Sequence, residues 1–115
     1  MKTADSIAIQ FNDYITRRDA DALAEMMTDD HTFIDSNNNI IRGRMENKKN
    51  WERFFELLPA YRNIFENITI KESTVILQGY SICSDQQLNN VHAIWVVQIQ
   101  NDLVKEWRIY TIRKD

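Results

Sequence analysis

Ala4, Ile7, Ala8, Phe11, Tyr14 and Ile15 recur at helical spacing and predict an amphipathic helix over Ala4 to Arg18. Asp5 suits the start of that helix, and Arg17 and Arg18 suit its end. Asp19 is a natural N-cap for a second, short helix carrying Leu23, Met26 and Met27. The period then changes. In "HTFIDS", His31, Phe33 and Asp35 share one face of a predicted strand, and Thr32 and Ile34 share the other. Ser36 to Asn39 reads as a polar turn, and Ile40 and Ile41 as a short return strand. After Gly43 a third helix is expected from Glu46 to Leu58, with Trp51, Phe54, Phe55 and Leu58 as its stripe, stopped by Pro59.

The second half of the chain alternates. Strands are predicted over Arg62 to Lys71, Thr74 to Cys83, Val91 to Gln100 and Leu103 to Arg113. Glu72-Ser73 and Asn101-Asp102 mark turns between them, "SDQQLNN" reads as a loop, and Gly79 is a candidate bulge. Helices first and long antiparallel strands afterwards predict an α+β layer, with helices on one face of a curved sheet.

A chain of 115 residues fits one domain with one sizeable core, here residues 1–115. With two glycines and one proline, no flexible linker divides it. The net charge of −3 argues against a phosphate-backbone binder. Arg42, Arg44, Lys48, Lys49 and Arg53 cluster, but no stacking aromatics or nucleic-acid motif accompany them, so a solvated helix start is expected. The single cysteine, Cys83, cannot form an intramolecular disulfide and lacks a CxxC partner. It reads as a small buried residue in a reducing compartment. The start, MKTADSIAIQF, does not read as a signal peptide, and no apolar window is long enough to span a bilayer, so a cytoplasmic protein is expected.

Candidate chemistry centres on Asp35. Before Ser-Asn-Asn-Asn it can close the hairpin as an Asx-turn, or it can point into a cavity as an acid-base group. His92 joins it only if His92, Ile94 and Val96 face inward; if Ala93, Trp95 and Val97 do, His92 faces out, and bulky Trp95 favours the second parity. His31 is expected at the rim of the first strand. His31, Asp35 and His92 match no metal-ligand spacing, so no metal or organic cofactor is expected. Trp51, Phe55, Tyr61, Tyr80, Trp95, Trp107 and Tyr110 are core-packing residues in the plain reading. In the functional reading they wall a pocket for a flat hydrophobic ligand, with Tyr61 and Tyr80 able to supply hydroxyls.

The order of elements can be joined to particular residues. "FNDYITRRDADALAEMMTDDHTFID" resembles the opening of the NTF2-like superfamily, particularly its SnoaL-like and ketosteroid-isomerase-like branches. Asp19, Asp21, Ala22 and Leu23 match its D-x-(D/A)-A-L motif, and Asp29 and Asp30 its acidic pair before a strand that carries an acid. "RGRMENKKNWERFFELLP" resembles its glycine and aromatic-rich helix, and "NDLVKEWRIY" its final hairpin. The resemblance covers nearly the whole chain. It implies a cone, with a curved sheet wrapped around three helices and an apolar cavity inside, and dimerisation through the outer sheet face, where Ile34 is an expected contact.

The resemblance places Asp35 where relatives keep a catalytic acid. It also exposes departures. The first-helix tyrosine position holds Asn12, with Tyr14 nearby but offset; "HAIW" offers no second acid; and Ser36 stands where a proline is usual. Two functions are therefore expected as alternatives. One is cofactor-independent proton transfer of the isomerase, dehydratase or cyclase type, with Asp35 as base, Asn12 or a tyrosine hydroxyl as oxyanion donor, and Phe33 with the other aromatics as walls. The other is a binding or dimerisation module that performs no chemistry. The expected partners are a small hydrophobic ligand and a second copy of the chain, with no nucleic acid and no membrane.

Overall fold

The computed structural model describes residues 2–84 and 91–112. Its elements are α1 (Ala4–Arg17), α2 (Ala20–Glu25), β1 (Met27–Ile34), β2 (Ile40–Arg42), α3 (Arg44–Leu57), β3 (Arg62–Lys71), β4 (Thr74–Ile82), β5 (Val91–Gln100) and β6 (Leu103–Thr111). The expected loop "SDQQLNN" lies outside the described residues apart from Ser84, as does Arg113 at the expected end of the last strand.

The six strands form one curved, unclosed sheet in the order β2-β1-β6-β5-β4-β3. Neighbours pair antiparallel except β1 and β6, which run parallel. The three helices cover the concave face: α1 lies against β3 to β6, and α3 against β1, β2 and α2. The α+β cone expected from the sequence is the observed architecture.

Local chemistry explains the joints. Arg18 ends α1 in the left-handed region (φ 58°), and the Asp19 amide donates to Tyr14 O at 3.0 Å. The Asp19 side chain then accepts from the Ala22 amide at 3.0 Å and starts α2. Asn101 and Asp102 both have positive φ (53° and 62°), the two-residue turn whose twist suits a hairpin. Gly79 is not itself the bulge. The register slips on the neighbouring strand, between Phe65 and Asn67, and Gly79 sits opposite Phe65. A Cβ on Gly79 would come within 1.8 Å of Ile64 O, so the bulged strand needs a glycine beside it.

Two expectations on β1, for Met27 and for His31, fail because the strand begins earlier than its local pattern suggests. Met27 opens β1 rather than ending α2. Pairing with β6 decides this: Met27 lies opposite Val104, whose amide donates to Met26 O at 2.7 Å. The register then shifts before Thr32, so strict alternation breaks. His31, expected at the rim, lies within the strand and is fully buried, whereas Ile34 does lie on the outer face, opposite Arg108, but is only 7% exposed. Ile34 is flanked by Ile40 on β2 and Arg108 on β6, and the Arg108 guanidinium reaches across to Asn38 Oδ1 at 3.2 Å.

Candidate functional site

A recess of about 340 Å³ opens between the concave face of the sheet and α3. β1 and the turn after it contribute Phe33, Asp35 and Ser36; β2 contributes Ile41; α3 contributes Asn50, Trp51 and Phe54. Tyr61, Ser81 of β4, Val91 and Ala93 of β5, and Ile109 and Thr111 of β6 complete it.

Asn47 holds α3 in place. It is fully buried, and its Nδ2 lies 3.1 Å from His31 O, 3.1 Å from Ile41 O and 2.8 Å from Gly43 O. It thereby ties the helix start to β1 and β2, and Trp51 follows one turn later on the same face. Trp51 meets Phe33 edge-on at 5.7 Å, Phe54 edge-on at 5.6 Å and Phe55 at 5.6 Å. Phe54 meets Tyr61 edge-on at 4.7 Å. These contacts make a continuous aromatic wall.

The recess has two polar poles. At one, the Asp35 carboxylate turns back on its own loop. Oδ1 accepts from the Asn37 and Asn39 amides at 2.9 Å each, and Oδ2 accepts from Asn39 Nδ2 at 3.0 Å. Partial burial raises its pKa, but the hydrogen bonds from Asn39 and Asn37 outweigh this and hold it below the usual carboxylate range. Asp35 is thus ionised at neutral pH, and a carboxylate so held is a weaker base than a free one.

At the other pole a chain of buried side chains reaches the recess. Tyr61 Oη and Ser81 Oγ are 3.0 Å apart; Ser81 Oγ donates to Asn63 Oδ1 at 3.0 Å; and Asn63 Nδ2 donates to Asn12 Oδ1 at 3.1 Å. All four residues are buried. Burial pushes the Tyr61 phenol above its ordinary value, so it stays protonated.

The fold brings Asp35, Phe33, Trp51 and Tyr61 to the recess lining. Asn12 stands behind it, joined through Asn63 and Ser81. The remaining sequence candidates lie elsewhere. Ala93, Trp95 and Val97 point inward, as Trp95 suggested, so His92 is exposed on the outer face with its ring 5.9 Å from Tyr80. Trp95 packs edge-on against Phe65 at 5.1 Å, and Trp107 lies tilted against Phe11 at 4.9 Å, both tryptophans fully buried. Tyr14, half-buried on α1, accepts a hydrogen bond from Gln10 Nε2 at 3.2 Å. Phe55 flanks a surface groove beside Arg18 and Glu52.

His31 is a core residue. It lies 2.7 Å from Val104 O through Nδ1, and its Nε2 is buried with no partner among the described residues. Burial drives its pKa down to about 4, so the ring is neutral at neutral pH. His31, Asp35 and His92 therefore occupy core, recess and outer face separately. Among the described residues no cluster of three or more His, Cys, Asp or Glu is arranged to hold a metal. The basic cluster is partly neutralised: Arg44 pairs with Asp29 at 3.0 Å, Lys48 with Asp21 at 2.7 Å and Lys49 with Glu46 at 3.9 Å. No helix among the described residues is long and apolar enough to cross a membrane.

Sequence reasoning did not single out Asn63, Ser81, Asn50, Ile41, Ala93, Ile109 or Thr111. The faint available signal was Asn63, an amide at an inward position of an otherwise apolar strand pattern.

A family model described as the SnoaL-like domain matches residues 8–107. The chain belongs to the SnoaL-like domain family. Solved structures resemble this SnoaL-like chain closely in fold and distantly in sequence. A putative SnoaL-like polyketide cyclase from Shewanella putrefaciens is 18% identical, with a TM-score of 0.84 over 96% of this chain and 80% of that one. An LEH-like epoxide hydrolase from M. tuberculosis is 15% identical, with a TM-score of 0.84 over 95% of this chain and 82% of that one. An uncharacterized cystatin fold protein from Novosphingobium aromaticivorans is 13% identical, with a TM-score of 0.83 over 98% and 100% of the two chains. No curated protein matches the chain.

Proposed function

We propose that this SnoaL-like domain binds a small, largely hydrophobic molecule in the recess between α3 and the sheet. The observation that carries this reading is the combination at one place of an aromatic wall (Phe33, Trp51, Phe54) and two placed polar poles, Asp35 and the Tyr61–Ser81 pair. Small-molecule sites are typically apolar with a few placed polar groups. The similarity to a putative polyketide cyclase and to an epoxide hydrolase supports a site of this kind. In this reading Asp35 shapes the rim and the hairpin. The test is a thermal-shift screen of hydrophobic small molecules on the chain and on Ala93→Leu, which fills the recess from β5. Binders should raise the melting temperature of the first and not the second. Equal shifts in both place binding elsewhere.

A second reading, cofactor-independent proton transfer with Asp35 as base, is favoured by the place of Asp35 in the lining. It requires a ligand to displace Asn39 or Asn37 from the carboxylate. Asp35→Asn should then abolish turnover of a bound carbonyl compound; under the binding reading it changes affinity by a small factor only.

We also propose that the outer sheet face pairs with a second copy of the chain. Ile76 on β4 and Tyr110 on β6 are exposed on that face, and His92 is exposed on it from β5. Sedimentation velocity should show a dimer that Ile76→Glu converts to monomer. A wild-type monomer at high protein concentration would refute the pairing.

A further inference from the structure

We infer that the Tyr61–Ser81 pole of the recess presents only hydrogen-bond acceptors, so the site selects a hydrophobic alcohol or amine over the matching ketone or carboxylate. The inference rests on the reading of the recess as a binding site and narrows the class of ligand.

The argument is a count of protons along the buried chain. A serine or tyrosine hydroxyl carries one proton, and an amide donates only through nitrogen. Asn63 Nδ2 donates to Asn12 Oδ1 at 3.1 Å, so the Asn63 carbonyl oxygen faces the other way, toward Ser81. Ser81 must donate to that oxygen, and does so at 3.0 Å. Its one proton is then spent. In the 3.0 Å contact between Tyr61 and Ser81, the tyrosine is therefore the donor. Its proton is spent as well. What the two oxygens still offer the recess is lone pairs.

The other groups around the recess do not reverse this. Asp35 offers only lone pairs while it is ionised. The Trp51 indole nitrogen is buried by protein atoms, so its proton is not presented to the recess. Asn50, Ser36 and Thr111 each carry both donor and acceptor and favour neither class. A ketone at the Tyr61–Ser81 pole sets lone pair against lone pair with no proton between them. A carboxylate adds repulsion from Asp35. A hydroxyl or an amine N–H supplies the missing proton. Sites with buried polar groups discriminate strongly against ligands that leave those groups unpaired.

The test is calorimetric titration of the intact chain with four probes on one ring system: naphthol, naphthylmethylamine, acetonaphthone and naphthoate. Naphthol and naphthylmethylamine should bind at least about tenfold more tightly than acetonaphthone and naphthoate. Ser81→Ala removes the acceptor of the Tyr61 proton and frees that proton for the recess. In this variant, shown to be folded by its melting curve, the preference for naphthol over acetonaphthone should collapse or invert. If the variant does not fold, the wild-type ratio decides alone. Acetonaphthone binding as tightly as naphthol to the wild type overturns the inference, because the two amides then run the chain in the opposite sense. Failure of all four probes to bind overturns the binding-site reading itself, an outcome distinct from a wrong preference among probes that do bind.

Discussion

At the scale of single residues, Asp35 and His31 show how a titratable side chain is set by what surrounds it. They lie four positions apart on and just beyond β1, yet one is a charged turn residue and the other a neutral core residue. Asp35→Ala should cost the hairpin roughly 1–2 kcal/mol, the scale of lost charge-assisted hydrogen bonds on a partly exposed loop, read as a lower urea midpoint. His31 gives a pH signature. Its folded pKa, about 4, lies below its ordinary 6.5, so between these values the unfolded chain binds a proton that the folded chain does not. Stability should therefore fall as the pH drops from about 6.5 toward 4, by roughly 2 kcal/mol at about pH 5. His31→Phe should flatten the urea midpoint across this window; an unchanged slope would mean that His31 is not the group responsible. The sequence posed the alternatives for Asp35 but could not choose between them, because the choice depends on where the Asn37 and Asn39 amides point. It misplaced His31, because β1 begins at Met27, a start set by pairing with β6 that no local pattern encodes.

At the scale of elements, α3 builds the recess and Asn47 fixes α3. Asn47→Ala leaves the His31, Ile41 and Gly43 carbonyls without their shared donor and should cost about 2–3 kcal/mol in chemical denaturation. Gly79→Ala meets the Ile64 carbonyl and should cost about 3 kcal/mol or more, because backbone rather than a movable side chain stands in the way. Gly43→Ala meets no atom within 4 Å and should cost about 1–3 kcal/mol, from backbone strain at its φ of 97° alone. A larger loss at Gly43 than at Gly79 would contradict this assignment. Helix period, the Asp19 cap and the Asn101-Asp102 turn were legible because each is written in neighbouring residues. The bulge opposite Gly79 was half legible: the glycine flagged irregularity but not which of two strands carried it. The chain Asn12–Asn63–Ser81–Tyr61 was not legible, because it joins α1, β3, β4 and the segment before β3 across separations that only the folded sheet closes.

At the scale of the whole molecule, one curved sheet serves two faces. The concave face carries the core tryptophans and, toward one end, the recess; the outer face carries exposed Ile76, Tyr110 and His92. The architecture was the most legible feature, because alternation and helical period state it many times over. The division of labour between faces was less so, since parity on β5 rested on the bulk of one residue, Trp95. The central claim is that the concave recess, and not the outer face, receives a small hydrophobic molecule. Its most direct test is a titration of isotopically labelled chain with naphthol followed by NMR. Saturable shifts should gather on Phe33, Trp51, Tyr61, Ser81 and Ala93 and leave Ile76, His92 and Tyr110 unmoved. Shifts confined to the outer face, or none that saturate, would contradict it.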